Sequence, residues 1–224
     1  MKKPRSLSEL NDLLTNEIGW RVKEIADLKL ALKTSDSIIG KSLARACVPI
    51  LYAHWEGYVK TIANGYLDYL NQLGIPLSDL AECFIVLGTR RKLHELSSSS
   101  EFEKQAQLIT FFLHELNQKV PLQFPKAINT RSNLDSQVFE YIAVSIGMNT
   151  TAFRSRYKLI DERLVGKRNG IAHGDLVRME KDECRSLADE VIQLLRDFER
   201  HLFNLAKTGA YRRTKKASVA AATE

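Results

Sequence analysis

The strongest constraint on the fold lies near the end of the sequence. Cys184, Leu187, Val191, Leu194, Phe198, Leu202 and Leu205 advance by threes and fours, the spacing that stacks side chains on one face of an α-helix. A half-buried strand would alternate instead. The same spacing recurs near the start in Leu7, Leu10, Leu14, Ile18, Ile25, Leu28 and Leu32. Ser6 is placed to cap that helix, with Glu9 three residues on completing a capping box. A second long helix is expected to begin after Thr34-Ser35-Asp36 and to run towards Leu73. Pro49 should kink or interrupt it, because proline has no N–H to bond and its ring clashes with the preceding turn. Gly74-Ile75-Pro76 then stops it.

The centre of the chain is less legible. The apolar run at 81–87 is too short to divide a helix from a buried strand. Residues 97–100 read as a serine loop and 101–116 as a helix. Residues 120–130, with Pro121 and Pro125, read as irregular. Residues 134–146 form another helix, stopped by Gly147, and Thr150 or Thr151 caps the next. That one carries Phe153, Tyr157, Ile160 and Leu164 on a stripe. There is no internal repeat and no hairpin signal. The expected architecture is an all-α helical bundle with long first, second and last helices. It forms one domain over residues 1–206, followed by a basic, flexible tail over 207–224.

Composition fits this and narrows the function. A chain of 224 residues, 44% apolar and 27% charged, is long and apolar enough for a real core. Cys47, Cys83 and Cys184 are odd in number and scattered. They match neither a disulfide framework nor a paired-thiol metal site, which points to a reducing cytoplasm. The longest apolar run, residues 46–53, is too short to cross a bilayer. The basic residues at the start lead into an amphipathic stretch, so neither an export signal nor a membrane contact is expected. The net charge of +6 is uneven. Lys207, Arg212, Arg213, Lys215 and Lys216 face only Glu224 within 207–224, and Arg154, Arg156, Lys158, Arg163, Lys167 and Arg168 face only Asp161 and Glu162 within 154–168. Such segments attract polyanions, although a solvated helix face has the same composition.

Chemistry concentrates in Arg163-Leu-Val-Gly-Lys-Arg-Asn-Gly-Ile-Ala-His-Gly174. Arg168 falls four residues beyond Leu164 on the apolar stripe, where a guanidinium needs an anion, a partner or water. Asn169 and His173 are four apart and share a helix face. Arg168 and His173 are five apart, a rotation of about 140° on a straight helix. Either the backbone breaks near Gly170, or the two meet across an interface, which a two-fold dimer would supply. Cleavage of a phosphodiester by its neighbouring 2′-hydroxyl needs a proton acceptor, a proton donor and positive charge at the non-bridging oxygens. Histidine titrates in the right range for the first two, and arginine matches phosphate for the third. The plainer alternative is that Arg168, Asn169 and His173 pin a helix end.

The Arg168-Asn-Gly-Ile-Ala-His173-Gly segment, on a late helix of an all-α chain, resembles the Rx4–6H motif of the HEPN superfamily. Leu51-Tyr-Ala-His-Trp-Glu-Gly-Tyr-Val-Lys60 and Thr130-Arg-Ser-Asn-Leu134 resemble its MAE-type nuclease subgroup. The resemblance implies a helical homodimer whose paired motifs form a shared cleft, cutting RNA with no metal and no other cofactor. It also implies a role in toxin–antitoxin or phage-defence systems, where an antitoxin or other partner protein is expected. Carried over, Arg168 holds the scissile phosphate, His173 is the acid or base, and Asn169 orients the phosphate or the His. HEPN toxins paired with nucleotidyltransferase antitoxins often carry Tyr two residues after the His. Here that position is Asp175, so adenylylation of such a Tyr is not expected. Arg154, Arg156, Lys158, Arg163 and Lys167 are the expected RNA contacts. The alternative implied by the family is a catalytically inactive module that binds RNA or protein.

In the block around residue 54, Glu56 is the candidate to support Arg168 or His173, against the plainer reading that it pairs with Lys60. His54 is expected to be structural. His94, His114 and His201 have no metal-ligand spacing, and His114-Glu115 lacks a second histidine three residues on.

Overall fold

A computed structural model of the chain describes residues 3–97, 101–117, 128–130 and 133–214. Three long helices form its centre: α1 (Leu7–Thr34), α2 (Ser37–Gln72) and α7 (Lys181–Thr208), each packed on the other two. Shorter helices α3 (Glu82–Ser97), α4 (Phe102–His114), α5 (Ser136–Ser145) and α6 (Lys167–Ala172) lie between α2 and α7 in the chain. The fold is all-α. Among the described residues the one β-type pairing is an isolated bridge between Leu80 and Arg212.

Local chemistry accounts for the helix starts. Ser6 Oγ accepts from Glu9 N at 3.1 Å, while the Glu9 carboxylate reaches one residue further back and accepts from Arg5 N at 2.6 Å. Asp36 caps α2 by accepting from Ile38 N at 3.0 Å and Ile39 N at 2.8 Å. Gly74, with φ +60, follows its end.

Pro49 does not interrupt α2, which runs on through it. A proline inside a helix costs about 3 kcal/mol. Around it Val48, Leu51, Tyr52 and Trp55 are all buried against the bundle, and each such side chain contributes about 1.5–3 kcal/mol. Packing outweighs the lost bond. The same argument settles the apolar run as helix from residue 82, with Phe84 and Leu87 inward.

An aromatic hub joins four elements. The Trp55 ring lies 5.2 Å from Phe139 and 6.3 Å from Phe198, and Phe139 lies 5.1 Å from Phe153. Such tilted and edge-on pairs add to the apolar area they bury.

The single helix expected after Thr150 is instead three helix types in succession. A 3₁₀ turn (Thr151–Arg156) leads into a π-helical segment (Leu159–Gly166) and then α6. A π-helix bonds i to i+5, and the buried residues step accordingly: Leu159 with Leu164, Ile160 with Val165. The stripe of four-residue steps towards Arg168 is therefore broken.

The tail boundary also moves. α7 continues to Thr208, and Gly209 closes it at φ +69. Tyr211 is buried beside Tyr69. Its carbonyl accepts from Ala81 N at 2.8 Å, and Arg213 N donates to the Asp79 carbonyl at 2.8 Å. Residues 207–213 are thus fixed to the domain rather than part of a loose tail. Lys215, Lys216 and Glu224 lie outside the described residues, as do Ser98–Ser100, Pro121, Pro125, Arg131 and Ser132.

Candidate active site

Helix α6 is six residues long, so its ends decide what it presents. His173 is its C-cap residue. Gly174 follows at φ +87, a conformation that costs a residue bearing Cβ about 1–2 kcal/mol. Gly174 N donates to the Ile171 carbonyl at 3.2 Å and Asp175 N to the Gly170 carbonyl at 2.8 Å, the paired bonds of a Schellman closure. Arg45 Nη2 donates to the Asp175 carbonyl at 2.9 Å, tying this turn to α2. Val177 packs on Gly170, where a Cβ would stand 2.9 Å from Val177 Cγ2. The outcome is an exposed His173 on a fixed helix end.

Arg168 leaves the helix in another direction and is half-buried. Its guanidinium carbon lies 4.4 Å over the Tyr52 ring, within cation–π range. Arg168 Nη1 donates to Asn169 Oδ1 at 2.7 Å. Asn169 Nδ2 in turn donates to Asn133 Oδ1 at 3.4 Å, a long bond. Gly170 does not break the helix, which continues to Ala172. Of the two ways to bring Arg168 and His173 together, the local backbone break is therefore excluded.

Tyr52 is the pivot of the site. Its hydroxyl accepts from Leu134 N at 2.7 Å, and Glu56 stands one turn along α2. Burial pushes the phenol up to about 12; the Leu134 bond opposes this, Glu56 adds to it, and Arg168 opposes it. The hydroxyl is therefore protonated at neutral pH. Asp161, inside the π-helical segment, accepts from Ser136 N at 2.7 Å and Ser136 Oγ at 2.6 Å. Asp135 accepts from Val138 N at 2.8 Å to start α5. The loop bearing Asn133 is thus bonded to α2 through Tyr52, to the π-helical segment through Asp161, and to α6 through Asn169.

The blocks around Tyr52, Asn133 and Arg168 are far apart in sequence and meet at one place in one chain. Glu56 lies one helical turn from Tyr52, whose ring carries Arg168. Tyr52 and Asn133 lie inside the two sequence blocks that resemble the family, although neither residue is marked out within its block, and Asp161 carries no sequence signal beyond its charge.

The basic residues divide. Arg163 pairs with Glu190 at 2.5 Å, and Lys167 pairs with Glu183 and approaches Met179 Sδ at 3.4 Å. Both clamp this region to α7. Lys158 sits 3.9 Å from Glu162, and Arg154 is exposed. His54 is buried beneath Trp20 and 3.1 Å from Glu24, on the α1 side of α2. Among the described residues no three His, Cys, Asp or Glu side chains gather as a metal-binding group.

The RiboL-PSP-HEPN family model matches residues 16–204, from within α1 to near the end of α7. The chain belongs to the RiboL-PSP-HEPN family. No curated protein and no solved structure matches it. As a HEPN protein it falls among nuclease- and RNA-related modules. The likeness to the MAE-type subgroup rests on the sequence blocks alone. Among the described residues no helix of this HEPN domain is long and apolar enough to cross a membrane.

Proposed function

We propose that this HEPN protein is a metal-independent endoribonuclease that acts as a homodimer. The observation that carries the reading is the division of α6: a half-buried, oriented Arg168 on one side and an exposed His173 at the end. Side chains about 140° apart on one helix do not converge on one phosphate. Two copies related by a two-fold axis can exchange them. Support for such a face comes from the apolar residues at this end of the bundle. Leu176 is 84% exposed, and Ile38 and Ile39, at the start of α2, are 81% and 61% exposed. Leu176 lines a cleft with Lys41 and Arg45 of α2.

In this mechanism one His173 takes the proton from a ribose 2′-hydroxyl, and the 2′-oxygen attacks the adjacent phosphorus. The bond to the 5′-oxygen breaks, and the second protomer's His173 gives that oxygen its proton. Arg168 neutralises charge developing on the non-bridging oxygens, and Asn169 holds its guanidinium. The products are a 2′,3′-cyclic phosphate and a 5′-hydroxyl. Arg154, Arg156 and Lys158 would draw the RNA backbone in; Arg163 and Lys167 are already paired with α7. A toxin–antitoxin or phage-defence setting, with a partner that restrains the cut, follows from the family resemblance.

The test is cleavage of labelled RNA in EDTA, with end-group analysis. Wild type should produce 2′,3′-cyclic termini; His173→Ala should fold and produce none. Equal cleavage by His173→Ala removes His173 from the mechanism. Salt-sensitive RNA retention with no new ends assigns the inactive binding module instead.

A further inference from the structure

Next to the motif, the start of α5 borders an open cleft of about 300 Å³, lined by Asn133, Asp135, Gln137, Val138 and Tyr141. Its chemistry is mixed in a specific way. Tyr141 keeps 45% of its surface in water, and its hydroxyl accepts from Arg90 Nη1 at 2.7 Å. That bond sets a cation at the rim of the ring. Val138 supplies an apolar wall. Asn133 and Gln137 supply amides that both donate and accept. One Asp135 oxygen is used on Val138 N. Asn133 belongs to both places: it lines the cleft and it accepts from Asn169. The cleft is therefore continuous with the residues proposed to hold the phosphate.

An exposed aromatic face, a cation at its rim and short amide side chains match what single-stranded RNA offers. Bases stack on aromatic rings and present polar edges to side chains. A volume near 300 Å³ is at the lower limit of ligand pockets, which suits one nucleotide. We propose that this cleft is a base subsite. The nucleotide adjoining the scissile phosphate stacks on Tyr141 and turns its edge to Asn133 and Gln137, while Arg90 faces the backbone. The inference rests on the ribonuclease reading and names what that site recognises.

The test has two arms. In the His173→Ala background, binding of a fluorescein-labelled single-stranded decaadenylate is measured by anisotropy at fixed low salt. Tyr141→Ala should raise Kd about 5- to 150-fold, the fold-change of one lost stack at about 1–3 kcal/mol. Tyr141→Phe, which keeps the ring, should bind within about twofold of the parent, since the stack persists. In the active background, Tyr141→Ala and Gln137→Ala should alter the bases found beside the cut, read by sequencing the new ends. Tyr141→Ala that binds like Tyr141→Phe and cuts at unchanged positions overturns the subsite and leaves the ribonuclease standing. Weakened binding by Tyr141→Ala with no cleavage by wild type keeps the subsite and overturns the ribonuclease.

Discussion

Replacing Tyr52 with Phe removes one oxygen from the point where three segments meet. The ring under Arg168 stays, so the cation–π contact at 4.4 Å is kept. One hydrogen bond goes. Leu134 N, which donates to the hydroxyl in a buried setting, loses its acceptor. An unsatisfied buried amide costs about 1–3 kcal/mol. Phenylalanine recovers something, because a buried hydroxyl no longer needs a partner. The net expectation is a destabilisation of about 2 kcal/mol. For a chain of this size each kcal/mol lowers Tm by about 2–4 °C, so the fall should be about 4–8 °C. Urea denaturation followed by circular dichroism gives the free energy, and calorimetry gives Tm. Because Leu134 adjoins Asn133, RNA cleavage by the folded variant should also fall, with KM affected more than kcat where Asn133 positions the strand. Glu56→Gln should cost less than Tyr52→Phe, and the two should be non-additive. A Tyr52→Phe protein as stable as wild type would refute the reasoning, since the Leu134 amide would then not depend on the hydroxyl.

Three further outcomes follow from the same geometry. Gly174→Ala forces a Cβ into φ +87 and should lose about 1–2 kcal/mol, with RNase activity falling further as His173 shifts; unchanged Tm would count against the Schellman closure. Arg168→Ala should lower kcat about 10²–10³-fold with circular dichroism unchanged, and Arg168→Lys should recover only part, because an ammonium neither stacks on Tyr52 nor forks onto phosphate; full activity in the lysine variant would remove the geometric role. Burial holds the His54 imidazole below its ordinary value, with Glu24 opposing and Arg21 adding to the drop. A depressed folded pKa means stability present above the unfolded value of about 6.5 and lost as pH falls through the folded one. His54→Gln should therefore flatten urea stability between pH 7.5 and 5, and an unchanged slope would count against the buried neutral ring.

The long helices were legible because each has one apolar face and a conventional start. Ser6 and Asp36 cap where the sequence places them, and the stripe from Cys184 to Leu202 is buried as its spacing requires. Pro49 misled because propensity is a local rule, while α2 is held by neighbours on both sides. The terminal segment misled for a related reason. Its composition is that of a solvated tail, yet Tyr211 finds a slot beside Tyr69, and the backbone of 211–213 pairs with that of 79–81. Neither contact leaves a periodic trace.

The site was half legible, and the missing half is instructive. An arginine and a histidine five residues apart read as a motif, but spacing says nothing about where each side chain points. What aims Arg168 is a phenol ring on α2 and an amide beside it. What aims His173 is the glycine that follows it. The π-helical segment matters here because it changes which residues face inward just before α6. With an α-helical step, Arg168 would fall on the stripe of Ile160 and Leu164, facing a core in which both are fully buried. The wider turn instead leaves it half-buried, over Tyr52. A charged group kept at the edge of the core, with one face on a ring, can still receive an anion. That is why the segment from Leu159 to Gly166 belongs to the site although no residue in it is proposed to touch RNA at the cut.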